Sequence, residues 1–146
     1  MMTPAAIGLR GFEVSAEREA EDLLGTMGLT PATLGSRWID RDDLDAMQMP
    51  GVAKDVIRWQ NIGGVWVYEG PPQLCVTFRR GRTFYGNDRC ALTVLDGAVI
   101  PRDLAFYLVP HDLEAIAVLT PVEATLFYGT EGGGGAVLFW TRRGRR

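Results

Sequence analysis

The 146-residue sequence predicts an α+β fold in which a mixed β-sheet is flanked by short helices. Three observations predict this fold class. Capping residues and apolar residues at helical spacing occupy the first third of the chain. From Val52 onward, β-branched and aromatic runs alternate with turn residues, as strands do. After Pro101, short helical segments alternate with strand-like ones, which is typical of helices layered on a sheet.

The two N-terminal helices are predicted from their caps. The first covers about Ala16–Met27, with Ser15 as its cap and Gly28 after its last turn. The second follows a short extended piece and begins after Asp40, which has a second carboxylate three residues further on. We expect Leu23, Leu24 and Met27 to form the apolar stripe of the first helix, and Leu44 and Met47 to be the buried side of the second.

The middle of the chain is predicted to form strands. Its strand-like segments are "VAKDVIRW", "GVWVYEG", "QLCVTFRRG" and "CALTVLDG". The dipeptide Asp96-Gly97 predicts a hairpin that pairs Ala91–Leu95 with Ala98–Ile100, because both central residues of a type I′ turn need positive φ. Aromatic residues on strands are mostly core residues, so we expect burial of Trp59, Trp66, Tyr68 and Phe78.

The C-terminal segment "ATLFYGTEGGGGAVLFWTRRG" combines a glycine run with consecutive large apolar residues. Strands buried on both faces show such runs, so Gly135–Thr141 is predicted to be an interior strand. Val137 and Phe139 should face one side of the sheet, and Leu138 and Trp140 the other. A corner built from glycine supplies φ values that other residues resist; its predicted members are Tyr128, Gly129, Gly132, Gly133, Gly134 and Gly135.

No combination of residues predicts catalysis, a metal site or a cofactor. A phosphate cradle at the glycine run is disfavoured, because no Lys-Ser/Thr follows and the next element is a strand. The single histidine, His111, follows a proline where a helix begins, so we interpret it as a surface residue of the cap region. Asp42, Asp43 and Asp45 lie at a helix start, where carboxylates favour the helix dipole.

Composition and charge exclude several classes of protein. Hydrophobic residues make up 47% and charged residues 23% of the chain, as in a globular domain. The net charge of -3 gives no electrostatic reason to bind nucleic acid or an anionic membrane. We identify no signal peptide in this sequence and no apolar run long enough for a membrane helix.

The segment "DLEAIAVLTPVEATLFYGTEGGGGAVLFWTRRG", preceded by "VLDGAVI", resembles the second half of the plug domain of TonB-dependent (SusC-like) outer-membrane receptors. That family shows a "DG" hairpin, a "D-I-E-x-I-E-V" segment, a proline before a short helix, "YG", a small-residue cluster and a final strand. The residues that match are Asp96-Gly97, Asp112, Leu113, Glu114, Ile116, Pro121, Tyr128-Gly129, Gly135 to Leu138 and Thr141.

The resemblance extends upstream through "WIDRDDLDAMQMPGV" and covers about Leu34–Gly144. It divides the chain into an N-terminal extension with one helix (1–33) and a plug-like domain (34–146). It implies a non-enzymatic domain that occludes an outer-membrane β-barrel, in cis or in trans, and that TonB rearranges during uptake of a substrate the sequence does not name. Without barrel strands, the chain is then a fragment or a stand-alone relative at the outer membrane or in the periplasm.

Two further expectations concern the loop between the third and fourth strand segments. The polar stretch "RRGRTFYGNDR" is predicted to contact a ligand or partner through Arg80, Arg82, Phe84 and Tyr85. Cys75 and Cys90 flank it and form a disulfide if the chain is exported, or otherwise remain two buried small hydrophobic residues. Two alternatives to a plug also stay open: a periplasmic or envelope interaction module without a transport role, and an enzyme dependent on His111.

Overall fold

We describe the fold from a computed structural model, over residues 18–48, 51–68, 75–78 and 90–142. In chain order, these residues form helices α1 (18–26) and α2 (Pro31–Leu34), strand β1 (Trp38–Ile39), helices α3 (Arg41–Ala46) and α4 (Ala53–Gln60), strands β2 (Val65–Tyr68), β3 (Cys75–Phe78), β4 (Leu92–Leu95) and β5 (Ala98–Val99), helix α5 (Arg102–Ala105), strand β6 (Leu113–Leu119), helix α6 (Pro121–Tyr128) and strand β7 (Ala136–Thr141).

The strands form two sheets. The larger is a mixed five-stranded sheet in the order β1-β6-β7-β4-β5, and β2 and β3 form a separate antiparallel pair. Strand β7 lies at the centre, antiparallel to β6 and parallel to β4. The predicted α+β class with a mixed sheet is therefore confirmed, as are the interior position of the last strand and the hairpin of β4 with β5.

The five-stranded sheet is covered on both faces. Val137 and Phe139 belong to one buried cluster and Leu138 and Trp140 to the other, as their alternation predicts. On the first face, α3, α4, α5 and the β2–β3 pair contribute apolar side chains, and the Phe139 ring meets that of Phe106 edge-on at 6.0 Å. On the second face the cover comes from α1, α2 and α6. The core is thus a pair of layers on either side of β7.

Both N-terminal helices follow the predicted pattern within the described residues: Leu24 and Leu44 are buried, and Leu23, Met27 and Met47 are partly buried against the core. The α1 residues Ala20 and Leu24 are buried against the second face of the sheet, whereas Ser15 and Ala16 lie outside the described residues. Helix α3 begins after Asp40, whose carboxylate accepts from the Asp43 N–H at 2.9 Å while the Asp43 carboxylate accepts from the Asp40 N–H at 3.1 Å. The domain boundary drawn after residue 33 stays a prediction.

The segment "VAKDVIRW" is a helix, so the strand predicted there is wrong. Residues Ala53, Val56 and Ile57 of α4 are buried, and their spacing of three and four places them on one helical face. The Asp55 carboxylate accepts from the Val52 N–H at 3.0 Å, which caps the helix, and Asn61 ends it at φ 54°. Capping and tertiary burial outweigh the weak β preference of the β-branched residues.

Smaller differences concern helix lengths and exposed aromatic side chains. The sequence reasoning missed helix α2, and the first of the short helical segments predicted after Pro101 is helical only over Arg102–Ala105. Phe78 is buried as expected, but Trp59, Trp66 and Tyr68 are exposed, contrary to the core role predicted for them. Trp59 lies on α4, and the two β2 aromatics face away from the core because they alternate with the partly buried Val65 and Val67.

Candidate functional site

The centre of the candidate site is the corner between β6 and β7, which contains helix α6 and the 3-10 turn Gly129–Gly134. Thr120 caps α6 reciprocally with Glu123: the Thr120 hydroxyl accepts from the Glu123 N–H at 3.2 Å, and the Glu123 carboxylate accepts from the Thr120 N–H at 2.9 Å. Pro121 occupies the first turn of the helix, where a missing N–H costs nothing. The helix of the corner therefore has a capped start and ends at Gly129, where φ is positive.

Three glycines of this corner have distinct steric roles. Gly129 and Gly135 adopt φ values of 70° and 93°, and the second delivers the chain into β7. At Gly132 the φ is ordinary, but an added Cβ would lie 2.9 Å from the Thr125 N atom and against the Ala124 carbonyl. The glycine run thus lets the turn pack directly on the end of α6. Gly133 and Gly134 belong to the same turn without positive φ.

The predicted Asp96-Gly97 turn also fastens the end of β7. Asp96 and Gly97 have φ values of 50° and 88°, as a type I′ turn requires. The Asp96 carboxylate accepts from the Thr141 N–H at 3.0 Å and from the Thr141 hydroxyl at 2.7 Å, and the Asp96 N–H donates to the Phe139 carbonyl at 2.8 Å. Sequence reasoning found the turn but not this clasp, which joins residues 45 positions apart.

An ion pair that sequence reasoning missed connects α6 to the segment before β1. The Arg37 guanidinium donates to both Glu123 carboxylate oxygens, at 2.5 and 3.3 Å, and to the Val118 carbonyl at 3.2 Å. Both side chains are largely shielded from solvent, which strengthens a two-pronged contact of this kind. The residues are 86 positions apart, so no local pattern indicates the pair.

We expect the unfolding free energy of Glu123→Gln to fall less steeply than that of the parent as the pH is lowered. Burial raises the pKa of the Glu123 carboxyl, but the hydrogen bonds from Arg37 and Thr120 outweigh burial and bring the pKa below its usual 4.5. A lowered folded-state pKa gives stability that is present above the unfolded-state pKa and is lost as the pH falls through the folded-state pKa. Urea unfolding between about pH 6 and pH 3 measures this loss.

The control for that experiment is Glu131→Gln, which changes an exposed carboxylate of the adjoining turn. The difference in unfolding free energy between the parent and Glu123→Gln should shrink below pH 4.5, while the control follows the parent throughout. Equal slopes for the parent and Glu123→Gln would contradict the proposed role of the ion pair.

His111 and Asp45 lie beside structural contacts made by Arg142 and Arg41. His111 is exposed in the 3-10 turn Pro110–Asp112, and its carbonyl accepts from the Arg142 guanidinium at 3.2 Å. The Arg41 guanidinium donates to the Leu113 carbonyl, to the Pro110 carbonyl at 3.0 Å, and to the Asp45 carboxylate at 2.7 Å. The described part of the chain holds no group of three His, Cys, Asp or Glu side chains arranged to bind a metal ion.

Two open cavities flank the sheet. One of about 350 Å³ lies beside Cys90 and is also lined by Thr93, Ile100, Arg102 and Glu131. The other, about 400 Å³, is lined by Trp38, Arg41, Asp42 and Glu114, with the Asp40 helix cap at its wall. The first cavity combines the carboxylates of Asp103 and Glu131 with Arg102, whereas the second is mainly acidic, with Glu21, Asp40, Asp42 and Glu114 around Arg41.

Cys75 and Cys90 are joined by a disulfide, with 5.2 Å between their Cα atoms. It fastens β3 to the residues that lead into β4, where the Ala91 N–H also donates to the Val76 carbonyl at 2.7 Å. The loop residues predicted to contact a ligand, Arg80, Arg82, Phe84 and Tyr85, lie outside the described residues. Their recognition role stays a prediction.

We expect the double variant Cys75→Ser/Cys90→Ser to be less stable by about 3 kcal/mol in the chain-entropy model. The bond closes a loop with a sequence separation of 15 and so restricts the unfolded chain. Urea unfolding of the oxidised parent, the reduced parent and the double variant measures the effect. The last two should agree; equal stability of all three would show that the bond adds nothing to the fold.

The described surface carries several large exposed apolar side chains. On α6, Leu126 is 84% exposed, and Val122 lies one turn before it. Around α5 the exposed residues are Leu104, Tyr107 and Val109, with the Lys54 ammonium 5.1 Å from the centre of the Tyr107 ring. On β2 they are Trp66 and Tyr68. Within the described residues, no helix combines the length and the apolar character needed to cross a bilayer.

Neither a protein-family model nor a curated protein sequence matches the chain. Its fold is similar to chains in solved structures of the RagAB peptide importer in the closed-closed state (22% identity, TM-score 0.53), the RagAB peptide transporter (23%, 0.53) and the RagAB peptide importer in the open-open state (22%, 0.54). Each match covers 71% of this chain and 12% of the other chain. At this identity, the similarity shows a shared fold.

Proposed function

We propose that the chain is a non-enzymatic, plug-like domain of a TonB-dependent outer-membrane transport receptor, where it occludes the barrel and helps to gate uptake. One observation carries the proposal. The segment that resembles the plug pattern folds as a continuous unit: β6 and β7 lie in the middle of the sheet, and α6 and the glycine turn connect them. The similarity in fold to chains of a peptide importer supports it.

The geometry of this unit suits a domain that must stay folded while blocking a pore. Strand β7 is buried on both faces, and the Asp96 clasp holds its end. Gly135 supplies the positive φ that ends the turn before β7. The Arg37–Glu123 ion pair holds helix α6, which precedes that turn. Under this proposal, the partners of the chain are a β-barrel, TonB and a transported substrate.

The proposal is tested first by location. An antibody against the chain should detect it in the outer-membrane fraction of the native cells. The detected protein should change its gel mobility on heating, as a folded barrel does. Recovery of the chain as a soluble periplasmic species without a barrel would contradict the proposal.

Occlusion is tested by introducing Phe139→Ala into the complete receptor. The substitution should loosen the plug and make the cells sensitive to a large hydrophilic antibiotic that the outer membrane normally excludes. The matched control is Leu126→Ala, which shortens an exposed residue of α6. Both receptors must reach the membrane in equal amounts. Equal resistance of the two strains would contradict occlusion by this domain.

A second candidate is an envelope interaction module without a transport role. The uncovered aromatic side chains of β2 favour it, because exposed apolar patches mark interaction surfaces. The location experiment separates the two candidates, since the module needs no barrel in its complex.

A further inference from the structure

The cavity of about 400 Å³ beside strand β1 has an acidic wall. Four carboxylates line it: Glu21, Asp40, Asp42 and Glu114. Arg41 also lines the cavity, but its guanidinium is held by the Asp45 carboxylate at 2.7 Å. Glu21 and Asp42 are exposed, and neither forms a hydrogen bond or an ion pair within the described part of the chain. The cavity therefore carries negative charge that its own wall does not neutralise.

Trp38 adds an aromatic ring and a hydrogen-bond donor to the same cavity. Its side chain packs on Trp140, with 6.1 Å between ring centres, and the residue is only 9% exposed. Among the described residues, no acceptor binds the Trp38 indole N–H. A buried indole N–H usually finds an acceptor, and the face of an indole ring attracts a guanidinium. The cavity therefore suits an occupant with both cationic groups and carbonyl oxygens, as an arginine-rich peptide segment has.

The first arginine after β7 already lies at this wall. The Arg142 Nε atom is 4.0 Å from a carboxylate oxygen of Glu114, and both side chains are largely shielded from solvent. The Arg142 backbone N–H donates to the Asp112 carbonyl at 3.0 Å, and its guanidinium donates to the His111 carbonyl at 3.2 Å. These contacts hold the point where the chain leaves the sheet beside the cavity. Residues 143–146 follow directly, and four extended residues span about 13 Å.

We propose that residues 143–146 bind in this cavity, with their arginines against Glu21 and Asp42 and a backbone carbonyl on the Trp38 indole N–H. Three of these four residues are arginines. A guanidinium binds a carboxylate through two parallel hydrogen bonds, so an arginine segment matches the unpaired carboxylates of the wall. Glu21 lies on α1 and Asp42 on α3. The bound segment therefore connects the end of the central strand to both helices.

Charge and position select this segment over the other parts of the chain outside the described residues. Residues 1–17 contain one arginine and two glutamates, and residues 49–50 and 69–74 contain no lysine or arginine. Residues 79–89 contain four arginines, but they run from β3 to β4, and strands β7 and β6 separate β4 from β1. An occupant from the same domain also stays available when a barrel surrounds the domain.

Limited trypsin digestion of the 146-residue chain, followed by mass spectrometry, tests the proposal. Trypsin cleaves after arginine, and a bound segment is cleaved only when it opens. The double variant Glu21→Gln/Asp42→Asn removes two charges from the cavity and should speed cleavage after Arg143 and Arg145 by about tenfold or more. Salt at about 1 M screens these charges and should speed cleavage of the parent in the same way, relative to a synthetic peptide of residues 141–146.

The matched control is Asp22→Asn/Asp103→Asn, which removes two exposed carboxylates, one from α1 and one from the first turn of α5, and leaves the acidic cavity unchanged. Its digestion should match that of the parent. Circular dichroism must show the parent fold for each variant; where the cavity variant fails this, the salt dependence of the parent decides.

Equal cleavage of residues 143–146 in the parent, the cavity variant and the control overturns the inference, as does a parent whose cleavage does not respond to salt. Faster cleavage within residues 1–17 or 79–89 in place of residues 143–146 also overturns it, because a different segment then occupies the cavity. The inference uses this cavity alone, so its failure leaves the proposed function untouched.

Discussion

Phe139→Ala is expected to lower the unfolding free energy by about 3–5 kcal/mol. The ring is fully buried at the centre of the sheet and meets Phe106 edge-on, with 6.0 Å between ring centres. Its removal leaves a cavity among the core side chains of that face, including Phe106, and close-packed neighbours relax only partly to fill such a space. A single domain is stable by about 5–15 kcal/mol, so this loss is a large share of the total. The variant should therefore unfold at a much lower urea concentration than the parent.

Gly133→Ala is the comparison for this experiment. Gly133 lies in the 3-10 turn and has no positive φ, so the backbone should accept a methyl group at a much smaller cost. The ordering of the two unfolding free energies is the prediction. A Phe139→Ala protein as stable as the parent would show that the run "AVLFW" is not the core of the folded chain.

The elements that sequence reasoning placed correctly are those with local signals. The Asp96-Gly97 turn needs only two residues with positive φ, and the α3 cap needs Asp40 and Asp43 three positions apart. The run from Val137 to Trp140 is apolar at consecutive positions, which only a strand covered on both faces requires. In each case the physical cause lies within a few residues of the effect.

The errors arise where tertiary contacts decide the structure. In α4, the β-branched residues favour a strand, but Ala53, Val56 and Ile57 gain burial only at helical spacing. Trp66 and Tyr68 alternate with core residues as any half-buried strand predicts, and the sequence does not show which of the two faces is the wet one.

The candidate site is predictable only in part for the same reason. The glycines of the corner follow from their residue type, whereas the Arg37–Glu123 pair and the Asp96–Thr141 clasp join distant parts of the chain. The first contact lies at the start of α6 and the second at the end of β7. The strength of the proposed plug therefore depends on long-range polar contacts around a locally specified strand, which is why the corner is the place to perturb it.

Gly135→Ala is expected to destabilise the fold for two separate reasons. Its φ of 93° and ψ of -174° lie in a region that residues other than glycine seldom occupy, which costs about 1–3 kcal/mol. An added Cβ would also lie 2.8 Å from the Leu119 carbonyl oxygen and against the Phe78 ring, and crowding of this kind costs about another 1–3 kcal/mol.

Gly129→Ala separates the two causes, because Gly129 has φ 70° and ψ -148° but no atom within 4 Å of an added Cβ. Urea unfolding of both variants should show a loss for each and a larger loss for Gly135→Ala, the difference being the crowding by Phe78 and Leu119. Adding Phe78→Leu should recover part of that difference at position 135 and none at position 129, because the smaller side chain makes room for the methyl group only beside Gly135. Equal losses for the two glycine variants would mean that the backbone conformation alone holds the corner, and that its close packing on Phe78 contributes nothing to the start of β7.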